Sequence, residues 1–379
     1  PVFSLQGVSF SEIQLEWRDE NTAVQIQLNS LNTDIHWQEQ RVTALRIEQV
    51  HIKAQLSANN KKSPWPTLNL PELPVEHIHI QQLHTELSYE QQTFHWAGAL
   101  DLLPHAEQWT LNLFNNTQKL ALQIKSADRV QMRAQLTILD STAELELSAP
   151  RAIQKADNIE YSLALDTTLL AQLPIEWPWD TFTGQVQADG KVNAGEYSGE
   201  WEQILANWQL SNAKLHTQNL ISQHSLFGKT ILTPEQMRIE LSPDSSALIQ
   251  LTNETTLSPI QLRLARPLSI VIPMTNNTSV ATEKSVITID GDVLAELSYD
   301  DIALDLRSTL NQQSISLNPL ALSAAIVFNG KTQKWKKFDT LFTQLSFQGN
   351  AQFEINQSTP QQMDIRLNEP MTVQWGRAQ

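Results

Sequence analysis

Alternation of apolar and polar residues governs most of this chain, and a period of two commits a segment to a β-strand with one apolar face. In "VQMRAQLTI" the side chains of Val130, Met132, Ala134, Leu136 and Ile138 share one face, while Gln131, Arg133, Gln135 and Thr137 share the other. The pattern recurs in Ile13/Leu15/Trp17, Val24/Ile26/Leu28, Leu120/Leu122/Ile124, Ala143/Leu145/Leu147, Ile302/Leu304/Leu306 and Leu345/Phe347 through Ala351/Phe353/Ile355, among roughly twenty such segments. Short polar turns such as "RDENT", "NNTQK" and "KSADR" join neighbouring runs, so an antiparallel meander is expected. Helical stretches are predicted only around Thr168 to Leu173, over Glu200 to Trp208, and at "TPEQM" from Thr233. So few short helices cannot cover that much apolar strand face.

A second device modifies the alternation. In "LQGVSF" from Leu5, "IEQVHI" from Ile47 and "FTQLSF" from Phe342, two residues rather than one separate successive apolar positions, and "IQQLHT" from Ile80 and "LSNAKL" from Leu210 are looser forms. One extra residue is what a β-bulge inserts, and repeated bulges curl a sheet. The expected fold is therefore all-β: a long, curled antiparallel sheet, an open groove or taco-like β-structure, with a few short helices. Asn59 to Pro74, Gln172 to Phe182 and Pro273 to Ser285 break the pattern without separating different compositions. Two modules are expected, 1–175 and 176–379, the second continuous with the first.

Composition narrows the function. Among 379 residues there are 11 glycines, fewer than the tight turns of compact enzymes call for. A net charge of −15 opposes nucleic acid and anionic membrane surfaces as partners. With no cysteine there are no disulfides, thiolate metal sites or cysteine nucleophiles. No apolar run approaches the roughly 20 residues of a membrane-spanning helix. Strand pattern runs from "VFSLQGVSF" to "MTVQWGRAQ", as expected of a piece of a longer polypeptide whose anchor lies upstream.

"ELPVEHIHIQQLHTEL" is the tract that most resembles site chemistry. Alternation places Ile78 and Ile80 inward and His77 and His79 outward, and the Gln81-Gln82 step returns Leu83 and Leu87 inward with His84 and Glu86 outward. Histidines at i and i+2 stand roughly 7 Å apart, close enough to chelate if a third ligand converges. The expectation is a solvated polar face and no metal, because His51 occupies the place of His84 in "IEQVHIKAQL" without partners for the other two. Asp290, Asp292 and Glu296, like Asp300, Asp301 and Asp305, lack the glycine-turned loop of a calcium site. No nucleophile elbow, phosphate loop or HExxH helix is present, and Glu144 and Glu146 alternate along a polar face. No catalytic residue, no enzymatic activity and no cofactor are expected. Trp65, Trp177, Trp179 and Trp375 flank prolines or turns, where they cap the apolar face or form a lipid-facing rim.

The apolar face requires a cover: a second sheet, as in a β-sandwich, or a ligand in a curled groove. Low glycine, recurrent bulges and the lack of sharp breaks favour the groove. "SPWPTLNLPELPVEHIHIQQLHTEL" resembles the tract of the AsmA-like family, particularly the YdbH type, in which a proline-rich "LP.LPV" element leads into alternating "I.I..L...L". "VFSLQGVSFSEIQLEW" and "FTGQVQADGKVNA" are compatible with it. The resemblance implies an inner-membrane helix, absent from this chain, followed by a β-rich periplasmic region that carries phospholipid toward the outer membrane of Gram-negative bacteria.

On that reading the lipid-groove residues are Ile78, Ile80, Leu83, Leu87, Val130, Met132, Leu136, Ile138, Leu145, Leu147, Phe347, Phe353 and Ile355. The expected partners are phospholipid acyl chains, membranes through the anchor, and an outer-membrane or periplasmic protein. A multi-sandwich scaffold or binding protein is the second reading. A carbohydrate-active β-protein, motivated by tryptophans and scattered carboxylates, is the third.

Overall fold

The computed structural model describes residues 7–18, 22–36, 41–56, 64–65, 67–68, 70–89, 92–172, 180–217, 220–252, 259–274, 286–299, 302–317, 320–332, 344–356, 363–367 and 372–376, with side chains up to 296. The chain is all-β. Its contacts divide it into two units, Pro1–Leu163 with Asn193–Trp201, and Ala164–Val192 with Glu202–Gln379. The stretch expected to be helical near Thr168 is a 3-10 turn over Thr167–Gln172. Glu200 to Trp208 is not a helix: it runs into a strand, Trp201–Thr217, whose burial alternates over Trp201 to Gln203 in the manner of a strand. "TPEQM" is a turn, closed by the Thr233 amide donating to Gln236 O at 2.8 Å, before a strand begins at Gln236. Most of Gln172 to Phe182 and of Pro273 to Ser285 lies outside the described residues.

In the first unit β1 (Gly7–Arg18), β2 (Thr22–His36), β3 (Arg41–Leu56), β4 (Val75–Tyr89), β5 (Gln92–His105), β6 (Gln108–Phe114), β7 (Gln118–Ser126), β8 (Arg129–Ile138) and β9 (Ser141–Pro150) pair in sequence order. Their register aligns the apolar positions into rows across the sheet. One row runs Phe10, Leu31, Ile47, Ile80, Leu100, Leu113, Leu120, Leu136, Ala143, one residue from each strand. At about 4.8 Å per strand its eight steps extend some 38 Å.

Four strands carry the extra residue at one level. The apolar face steps by three from Phe10 to Ile13, Leu28 to Leu31, Ile47 to Val50 and Ile80 to Leu83, and each of these pairs lies beside the next. Because the steps coincide, β1 to β4 stay in register through the irregularity, and Ser30 takes a left-handed φ of 55° within it. The mismatch surfaces where β4 meets β5, which has no such step: Ile80 pairs Leu100, but Leu83 pairs Gly98. The line is also where the unit buries most. Leu31, Ile47, Val50, Ile80 and Leu83 form its core cluster, with Ile13, Leu28, Ile52, Ile78 and Leu100 packed against them. A bend toward the apolar face lets side chains on either side of the crease cover one another.

The meander has one exception. β3 and β4 pair in parallel, at a constant offset from Val42↔Val75 to Leu56↔Tyr89. The proline-rich tract Asn59 to Pro74 is thus the tail of a crossover and not a hairpin, and its described part reaches the far strand: Thr67 bridges Ala152 and the Leu68 amide donates to Arg151 O at 2.7 Å. On a flat sheet Leu56 and Ala152 would be about 63 Å apart, from about seventeen residue rises along the strands and six strand spacings across. Eleven residues from Leu56 to Thr67 span at most about 40 Å. The sheet of this unit is therefore curled.

In the second unit β12 (Trp201–Thr217), β13 (Leu220–Leu232), β14 (Gln236–Leu241), β15 (Ser246–Leu251), β16 (Ile260–Pro273), β17 (Val286–Tyr299), β18 (Ile302–Leu317), β19 (Leu320–Thr332) and β20 (Gln344–Asn356) are joined by antiparallel ladders. β14 and β15 lie end to end between β13 and β16. At their junction the buried Ser245 hydroxyl accepts from Phe227 N and donates to Phe227 O, replacing the missing ladder. Register shifts recur at Leu210/Ala213, where Asn212 has φ 52°, and at Leu264/Arg266, Arg266/Ser269, Ile289/Gly291 and Thr309/Ile315. β21 (Met363–Leu367) and β22 (Thr372–Gly376) pair with successive parts of β20, and β10 (Asn158–Asp166) and β11 (Thr181–Ala194) complete the strands.

Candidate functional site

The apolar face of the first unit is an extended candidate surface. Pairing places Ile78, Ile80, Leu83, Leu87, Val130, Met132, Leu136, Leu145 and Leu147 on one side of one sheet, with Ile138 beyond them at the end of β8. Ile80 and Leu83 are buried in the crease, and Leu87 is exposed. The others are half-buried. Away from the crease the face opens. Along the row Trp17, Val24, Ala54, Leu87, Phe94 the outer residues Trp17 and Phe94 are 55% and 56% exposed. Phe347, Phe353 and Ile355 lie on β20 of the second unit, their backbones opposite Gly330, Ala324 and Leu322, and their side chains lie outside the described residues.

Tryptophan packs over glycine in both units in a way the sequence did not signal. Trp96 lies over Gly98, where a Cβ would stand 2.5 Å from its Cη2, and Trp208 covers its cross-strand neighbour Gly228 at 2.5 Å from Cζ2. Each indole keeps a partner for its N–H, Gln118 Oε1 at 3.0 Å and Thr230 Oγ1 at 2.9 Å. Glycine is needed at both positions because the ring occupies the space of its side chain. Trp65 is pinned by its indole N–H to Gly195 O at 3.1 Å. Trp177 and Trp179 lie outside the described residues, and Trp375 is described in backbone only.

The polar face carries the titratable groups. His77 and His79 project from β4 toward Asp101 on β5, with His77 Nε2 3.2 Å and His79 Nδ1 2.7 Å from the same carboxylate oxygen. All three are half-buried. Asp101 was not singled out from the sequence, yet its position follows from two features that were visible. Tyr89 pairs with Gln92; carried back without a bulge, that register sets Asp101 opposite Ile80. The Gln81-Gln82 step shifts the pairing by one and sets Asp101 opposite His79. Partial burial pushes the Asp101 carboxyl pKa up, but hydrogen bonds from His79 and His77 and their charge outweigh it, so it lies below its ordinary value. Further along, His84 stacks on His51 beside Lys53, Glu86 and His95, which line a cleft of about 290 Å³.

Other titratable clusters are satisfied among themselves. Arg266 bridges Asp290 at 3.2 Å and the buried Asp292 at 3.0 Å, so the calcium-like tract "DGDVLAEL" is closed by a cation of the chain's own; the hydrogen bond to Asp292 leads in raising the Arg266 pKa. Asp300 and Asp301 lie outside the described residues, and Asp305 is described in backbone only. Arg133 sits between Glu144 and Glu146, at 3.7 and 3.3 Å. In the second unit Ser222 Oγ and His224 Nε2 are 2.7 Å apart, a nucleophile–base spacing. Ser222 is 1% exposed, which denies a substrate access to its oxygen. Burial lowers the His224 pKa.

Among the described residues no helix is long and apolar enough to cross a membrane, which leaves membrane crossing by strands open. Comparison with protein-family models, curated proteins and solved structures finds no match to this chain.

Proposed function

We propose that the chain is part of an AsmA-like, YdbH-type intermembrane phospholipid carrier, lying in the periplasm and tethered to the inner membrane by a segment outside this sequence. The carrying observation is the uninterrupted apolar row of nine residues from Phe10 to Ala143, whose members away from the crease remain half-exposed or exposed. Among the described residues this face of the curled sheet stays partly open, and acyl chains are a cover of matching chemistry.

The energetics suit that role. Each methylene moved from water to an apolar surface gains about 0.8 kcal/mol, so a 16-carbon acyl chain crossing an aqueous gap alone faces on the order of 12 kcal/mol. Ile78, Leu136, Met132, Leu145 and Leu147 offer dispersion contacts without headgroup specificity, and no chemical step is needed. Phe347, Phe353 and Ile355 supply the same chemistry in the second unit.

Lipid extraction and native mass spectrometry of the purified chain test the reading. Phospholipid is expected to co-purify with the native sequence and to be lost from Met132→Asp and from Phe353→Glu while circular dichroism is unchanged. Lipid-free native protein from a phospholipid-rich membrane extract overturns it.

A further inference from the structure

We propose that His77, His79 and Asp101 form a binding site for a borderline divalent transition-metal ion, of the class of Zn²⁺, Ni²⁺ or Cu²⁺, on the polar face of the first unit. Three ligand atoms of two kinds, two imidazole nitrogens and one carboxylate oxygen, converge within 4.8 Å of one another. Metal bonds of about 2.0 to 2.1 Å place neighbouring ligands about 2.9 Å apart at right angles and about 3.4 Å apart in a tetrahedron. The nitrogen-to-oxygen separations of 3.2 and 2.7 Å already bracket the smaller value, and the two nitrogens lie within 4.8 Å of each other.

The arrangement has features that a chance pair of hydrogen bonds does not require. The two imidazoles use different nitrogens, Nε2 of His77 and Nδ1 of His79, and the rings are tilted by 54° at a centroid distance of 6.3 Å, so both point at one spot rather than stacking. All three residues stand on paired strands, which hold ligands more rigidly than loops do. The register that creates the site depends on the bulge: Asp101 faces His79 because β4 has one residue more than β5 between Ile80 and Leu83. Arg46, which stands beside His79 across the β3 pairing, is ion-paired to Asp34 at 2.7 Å.

Ligand type sets the class of ion. Two imidazoles disfavour Ca²⁺ and Mg²⁺, which take six or more oxygens, and suit the middle and end of the first transition row. Three protein ligands leave one or more positions to water or to an added ligand. With side chains 42%, 37% and 30% exposed, the site is open to an ion from solution.

The test is calorimetry of the full chain, free of any histidine tag, with Zn²⁺ and separately Ca²⁺, together with the visible absorption of added Co²⁺. One equivalent of Zn²⁺ is expected to bind, competing with Co²⁺, and His79→Ala and Asp101→Asn are each expected to weaken it at least tenfold. His84→Ala, on the same strand face but outside the triad, is expected to leave affinity within twofold. Circular dichroism separates lost binding from lost folding, and the near-isosteric Asp101→Asn covers the case in which His79→Ala unfolds. Absence of saturable Zn²⁺ binding, native affinity in Asp101→Asn, or Ca²⁺ binding as tight as Zn²⁺ overturns the proposal.

Discussion

His51 and His84 stack face to face, ring centroids 4.8 Å apart and 12° from parallel, at matching positions of β3 and β4. The stack records a constraint on the whole pair. β3 and β4 run parallel at one offset over their full length, through a three-residue step that each carries at the same level, Ile47 to Val50 and Ile80 to Leu83. A bulge in one strand alone would turn one half of the pair inside out.

Residue count at the crease therefore matters more than residue identity. Deleting Gln81 is expected to destabilise the first unit by at least about 3 kcal/mol, because Ile78 and Ile80 rotate to the polar face and each buried aliphatic side chain is worth about 1.5 to 3 kcal/mol. Gln81 is exposed, so Gln81→Ala, which keeps the count, is expected to stay within about 0.5 kcal/mol. Urea unfolding of the two variants checks the contrast.

Trp96 and Gly98 make a second pair whose members cannot change separately. Gly98→Ala is expected to cost about 1 to 3 kcal/mol as the new methyl meets the indole and the Phe114 carbonyl, with a red shift of tryptophan emission. Gly228→Ala beneath Trp208 is expected to do the same in the second unit. Adding Trp96→Leu to Gly98→Ala is expected to restore part of the loss, because the aromatic ring is one of the two obstacles. Thermal melts of the single and double variants measure it.

Lipid contact is expected to follow strand parity. A photo-reactive amino acid at Met132, Leu145 or Leu147 is expected to label phospholipid, and the same group at Gln131, Arg133 or Glu144 is expected to give little product, since these alternate on the opposite face of β8 and β9. Equal labelling from both faces removes the support for a one-sided apolar path.

The strands of the first unit were legible wherever alternation was clean, as in β8, and the bulges at Ile80 and Leu210 were legible as a spacing of three between apolar residues. The equivalent steps in β1 and β2 are less legible because Glu12 and Ser30 stand where the other bulged segments carry glutamine, glycine or asparagine. Parallel pairing of β3 with β4 was not anticipated, since a linker's composition does not reveal whether the chain turns back or crosses over. Glu200 to Trp208 suggests a helix in sequence and forms a strand because "EQILANW" suits a helical period as well as a strand. Asp101 was missed because its role arises between strands, where hairpin register and bulge must be combined before any carboxylate can be placed beside a histidine.

Burial of His224 gives a pH dependence whose sign is fixed. Desolvation disfavours the imidazolium, so the folded-state pKa lies below the ordinary value of about 6.5. As pH falls through that ordinary value the unfolded chain takes up the proton first, and stability present above about pH 6.5 is lost on the way down toward the folded-state pKa. The Ser222 hydroxyl beside Nε2 serves the neutral ring, as donor or acceptor, without a charge to hold the proton. His224→Gln keeps a polar partner for Ser222 and removes the titration. Urea midpoints taken at about pH 5 and about pH 8 are expected to differ more for the native chain than for His224→Gln. Asp101, whose carboxyl pKa partial burial raises but His79 and His77 hold below its ordinary value, is present in both chains, so its contribution cancels from the comparison.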